Sequence, residues 1–94
     1  MTRLTVGYET TIPETTLADL RGYLEYGREP SGFLRRLLEG HSAVEVIGFA
    51  DEFNVAAIKP ICMWIYNVLP IESWGSVDRV DRWIERKGRL GDMP

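Results

Sequence analysis

The single histidine, His41, sits in a Gly-His-Ser turn. A hydrolytic dyad would need a nucleophile beside it, and a zinc site three further ligands; the chain supplies neither at a familiar spacing, so His41 reads as a solvated loop residue. The single cysteine, Cys62, lies within Ile61-Cys62-Met63-Trp64-Ile65, where a thiol acts as a small hydrophobe and has no internal disulfide partner. Carboxylates are plentiful, yet Glu14, Asp19 and Glu45 have capping or first-turn work, and Asp78 and Asp81 alternate with Arg79 and Arg82 as on a charged helix face. A glycosidase-like pair needs two carboxyls facing across a cleft, for which 94 residues leave little room. Neither Gly-x-Gly-x-x-Gly nor the Walker pattern precedes a helix. No catalytic, metal or cofactor-binding residue is assigned, and binding is expected rather than catalysis.

Aromatic and arginine residues carry the more informative signal. Tyr, Trp and Arg dominate the energetics of protein interfaces, which makes Tyr23, Tyr26, Arg28, Arg35 and Trp74 the partner-binding candidates. The competing reading is that Tyr23 and Trp74 complete a small core. Tyr26, beside Gly27 at an expected helix end, is the better candidate for exposure.

The chain has 11 basic and 14 acidic residues, a formal net charge of −3. That balance argues against the basic footprint needed to neutralise many phosphates, so duplex nucleic acid is an unexpected direct ligand, and it favours a basic partner protein. With 45% hydrophobic residues, there is enough apolar area for one core without metal or disulfide staples. The N-terminus lacks the apolar stretch of a signal peptide, and no segment reaches the length of a membrane span. A cytoplasmic protein with no membrane partner is expected.

These residues must be positioned by helices. Leu4, Val6 and Tyr8 alternate with polar residues and suit an extended arm or short strand over 1–11. Thr16-Leu17-Ala18-Asp19 has the form of a capping box, which places helix one at 17–26, with Gly27 as its left-handed cap. Ser31 caps a second helix through Phe33, Leu34, Leu37 and Leu38, ending at Gly40. Ser42 with Glu45 caps a third, buried on one side through Val46, Ile47 and Phe49. The longest apolar element, about 52–68, is expected to be central, with Val55, Ile58, Cys62 and Ile65 on one face and Ala57, Trp64 and Val68 on another. Pro60 must kink or break it. Ser76 caps the last helix, with Val77, Val80, Trp83 and Ile84 inward, before the chain frays through Arg86-Lys87-Gly88-Arg89. The fold class is mainly α: a single domain over 1–94, built as a compact bundle of four to five short helices with an N-terminal arm and a tail over 85–94.

Ile12-Pro13-Glu14 with Tyr23 and Gly27, Pro30 with Gly32-Phe33-Leu34, Ala50-Asp51-Glu52 with Asn54, Trp64-Ile65-Tyr66-Asn67, Trp74-Gly75-Ser76, and Val80 with Trp83-Ile84 form a pattern that resembles a family of small uncharacterised phage and prophage proteins, over about residues 12–84. Pro60 and Ile61-Cys62-Met63 depart from it, since a more amphipathic helix is expected there, and point to an altered or partner-covered face. The resemblance implies a helical fold and a phage origin, with no catalytic role. Together with small size, this suggests a non-enzymatic accessory protein that binds and modulates a host protein, as an anti-CRISPR-like inhibitor of defence would. Two alternatives are an oligomeric sponge for a nucleotide signal and a small nucleic-acid-binding regulator using Arg79, Arg82, Arg86, Lys87 and Arg89. Homo-oligomerisation is left open.

Overall fold

The computed structural model describes residues 11–92. Apart from Thr11, the expected arm lies outside the described residues, as do the last two residues of the tail. Among these residues six α-helices follow one another: α1 (Glu14–Tyr26), α2 (Gly32–Glu39), α3 (Ala43–Gly48), α4 (Glu52–Ala56), α5 (Ile58–Val68) and α6 (Val77–Glu85). Short 3-10 turns cover Ile71–Ser73 and Leu90–Asp92. The architecture is the expected mainly helical bundle, and among the described residues there is no strand.

Helix α1 begins at Glu14 rather than Leu17. Pro13 occupies its cap position, and the Pro13 carbonyl accepts from Leu17 N at 2.9 Å. Proline suits the entrance of a helix, where a backbone donor has no acceptor. Thr16 therefore lies inside the helix, buried, and donates its hydroxyl to Asn54 Oδ1 at 2.5 Å. Asp19 closes no capping box. Its carboxylate instead accepts from Ser31 N at 3.0 Å and caps α2 from across the turn, while the Ser31 hydroxyl caps nothing. Helix α2 ends as expected at Gly40, which is left-handed at φ 85°.

The break in the central element comes at Ala57, not at Pro60. Ala57 leaves helical geometry (φ −103°, ψ 15°) and separates α4 from α5. Pro60 then falls in the first turn of α5, where an amide would have no intrahelical acceptor and proline costs little. Because the bend at Ala57 resets the helical phase, the face drawn through Val55, Ile58, Cys62 and Ile65 is not continuous. Ala57, Ile61, Trp64 and Ile65 point into the core, whereas Cys62 faces outward.

Helix α6 is capped by Ser76, whose hydroxyl accepts from Arg79 N at 3.1 Å. Val80 and Trp83 are buried and Ile84 packs at the core edge, but Val77 is exposed. The chain does not fray after α6. Gly88 N donates to Trp83 O at 3.0 Å and Arg89 N to Leu24 O at 2.8 Å, so the tail returns onto α1. Arg89 also grips the Glu25 carboxylate, at 2.5 to 3.1 Å. One connected core results, centred on Leu20, Tyr23, Leu34, Leu38, Ile61, Trp64, Val80 and Trp83.

Candidate functional site

Of the five residues singled out from the sequence, Tyr23 is withdrawn as a partner contact. Helix periodicity places it on the α1 face shared by Thr16, Leu20 and Leu24, and it is fully buried. Its hydroxyl donates to Ser73 O at 2.5 Å, its own carbonyl accepts from Trp83 Nε1 at 2.7 Å, and its ring packs near that of Trp83. Burial pushes its phenol well above the ordinary tyrosine range; the nearby Arg35 pulls the other way but less strongly.

Arg35 is also structural. Its Nε donates to Glu39 at 2.8 Å, Nη1 to Glu29 at 2.9 Å, and Nη2 to Asp81, which joins α2 to α6. The hydrogen bond to Glu39 is the chief reason its guanidinium is held even more firmly charged than usual. With each guanidinium nitrogen committed to a carboxylate, it has little left to offer a partner.

Tyr26 and Arg28 do come together at the surface. Both are exposed, and the Arg28 guanidinium lies 4.7 Å from the centre of the Tyr26 ring. Trp74 is half-buried, with its ring 6.3 Å from that of Tyr66. Its indole Nε1 is inaccessible and has no hydrogen-bond partner among the described residues. Trp74, Tyr66, Cys62, Met63, Leu37 and Ile65 line an apolar groove of about 300 Å3.

The most exposed apolar feature lies elsewhere, and it includes Ile47 and Phe49, which the sequence pattern places inward. Within α3 and α4 only Val46 is buried, and Ala50 between them packs at the core edge. Val44 is 83% exposed and Phe53 75% exposed, with Ile47 and Phe49 also facing solvent. Arg36 stacks on Phe49, its guanidinium carbon 3.7 Å from the ring centre. Ser42 and Asp51 fix this ridge by capping the two helices through Glu45 N and Asn54 N. The outward residues of a six-residue helix are set by its neighbours, so the expected burial of Ile47 and Phe49 does not hold.

Polar features have local explanations. A depression lined by Thr15, Thr16, Asp19, Ser31, Phe33, Phe49, Asp51 and Asn54 contains two carboxylates, each of which caps a helix. His41 lies between Glu39 (2.9 Å) and Glu45 (3.3 Å). Much of the basic edge of α6 is neutralised: Arg82 pairs with Asp78, Arg86 with Glu72 and Arg89 with Glu25, while Arg79 reaches the carbonyls of Ile71 and Trp74. Among the described residues no three His, Cys, Asp or Glu side chains gather to hold a metal ion. No helix among them is long and apolar enough to cross a membrane. In comparisons with family models, curated proteins and solved structures, nothing matches the chain.

Proposed function

We propose that this chain is a non-enzymatic accessory protein of phage type that works in the cytoplasm of a bacterial host, binds a host protein and modulates it by covering part of its surface. An inhibitor of host defence, acting as an anti-CRISPR protein does, fits this description. The observation that carries the reading is the ridge of Val44, Ile47, Phe49 and Phe53, apolar side chains held in solvent by capped helices. So many large apolar side chains exposed within one short segment point to an interaction site. Arg36 on Phe49 adds the residue type enriched at interface hot spots. Tyr26 with Arg28 supplies a second, smaller anchor.

The test is affinity capture from lysate of the natural host, with the wild-type chain beside a Val44→Asp, Phe53→Asp variant. The expected result is one host protein bound in stoichiometric amount by the wild type and lost by the variant. The variant should keep the wild-type circular dichroism spectrum. Absence of any stoichiometric protein, or its retention by the variant, would overturn the reading.

A further inference from the structure

We propose that the outward face of α5 is a self-complementary interface that pairs two copies of this chain antiparallel, about a two-fold axis passing between Cys62 and Met63. Lys59, Cys62, Met63 and Tyr66 recur at the spacing of one helix face. Lys59, Cys62 and Tyr66 are exposed, Tyr66 by 72%, and Met63 is half-buried. The groove beside this stripe, closed by Leu37, Ile65 and Trp74, has no charged residue in its lining.

The charge pattern of α5 selects the occupant. Lys59 sits in the first turn, where the backbone dipole is positive, and no acidic residue accompanies it there. The last turn, where the dipole is negative, holds no basic residue. In a single copy Lys59 therefore opposes the helix dipole, and the carbonyl end has no basic residue to complement it. An antiparallel second copy supplies the missing cation at each carbonyl end. An axis between Cys62 and Met63 sets Lys59 against Tyr66 of the second copy, next to the carbonyl end of its α5. The ammonium then meets a ring face and a negative dipole end. Cys62 meets Met63 of the second copy, so the centre of the contact is apolar. A parallel pairing would stack like ends and gain neither contact. Symmetric dimers bury the same patch on both subunits, as this stripe requires.

The experiment is sedimentation equilibrium of the full chain over a range of micromolar concentrations, together with cross-linking by a short bis-maleimide. Cys62 is the only thiol, so a covalent dimer reports its approach to Cys62 of a second copy. The expected results are a concentration-dependent dimer that is captured covalently, and a weaker dimer in Lys59→Glu, by about tenfold in dissociation constant. Tyr66→Lys, at an exposed position, should weaken it further, with the thermal midpoint of the monomer retained in both variants. A monomer at every concentration overturns the proposal, as does a dimer insensitive to both substitutions or one broken by Phe53→Asp. Host-protein capture rests on different side chains, so a monomeric variant that still captures its partner separates the two readings.

Discussion

Tyr23 shows how one side chain can join three elements. From α1 its hydroxyl reaches the carbonyl of Ser73 in the 3-10 turn, and its backbone oxygen receives the indole of Trp83 from α6. Deprotonating it would turn a donor into an anion beside a carbonyl oxygen in a desolvated place. The folded state therefore holds this proton more tightly than the unfolded chain, whose tyrosines titrate near pH 10 (about 10). The stabilisation is complete below that pH and is lost as pH rises above it. Denaturant unfolding at a series of pH values should show stability falling above about pH 10, and Tyr23→Phe should flatten that fall. At neutral pH the same substitution should cost about 1 kcal/mol, the net worth of one hydrogen bond. An equal alkaline decline in both proteins would place its cause outside Tyr23. The burial of Tyr23 was legible in the repeat of Leu20, Tyr23 and Leu24 on one helix face. The three carboxylates around Arg35 were not, because two of them, Glu29 and Asp81, come from outside α2.

At the scale of elements, the placement of Pro60 turns an apparent flaw into an ordinary helix start. Within a continuous helix over 52–68 it would cost ~3 kcal/mol. In the first turn of α5 it removes no hydrogen bond, and its remaining effect is to restrict the unfolded chain. Pro60→Ala should therefore destabilise by only about 0.5–1 kcal/mol and leave the helical circular dichroism signal unchanged. A gain in stability of 2 kcal/mol or more (roughly the relief of an interior proline) would mean that Pro60, not Ala57, breaks the element. Caps written as Ser42 and Ser76 could be read directly, since each hydroxyl bonds a backbone amide three residues on. The cap of α2 could not, because Asp19 arrives from α1 through tertiary packing. The same limit hid the ridge. Val44, Val46, Ile47 and Phe49 are equally apolar, and only contact with α2 decides that Val46 alone goes inward.

For the molecule as a whole, closure depends on the tail meeting α1 at two glycines. Gly27 (φ 65°) and Gly88 (φ 69°) are both left-handed and lie back to back. A Cβ added at Gly88 would fall 2.4 Å from Gly27 N and 2.7 Å from Tyr26 N, and one added at Gly27 would fall 2.6 Å from Gly88 N. The obstacle is backbone on both sides, which cannot swing away as a side chain can. Gly88→Ala must therefore strain φ and also push the tail off α1, endangering the Arg89 N to Leu24 O bond. Two such effects together cost about 2–4 kcal/mol, a large share of the roughly 5–15 kcal/mol that holds a domain together. At about 4–8 °C per kcal/mol for a domain of this size, the melting temperature should fall by at least about 8 °C. Gly48→Ala is the control: its added Cβ meets nothing within 4 Å, and it lies in the last turn of α3. There the substitution should be neutral or raise stability by up to about 1 kcal/mol. If Gly88→Ala melts with the wild type, the tail is not part of the cooperative unit and the core is complete without it. If it melts early while Gly48→Ala does not, the return of the tail onto α1 is what closes the bundle.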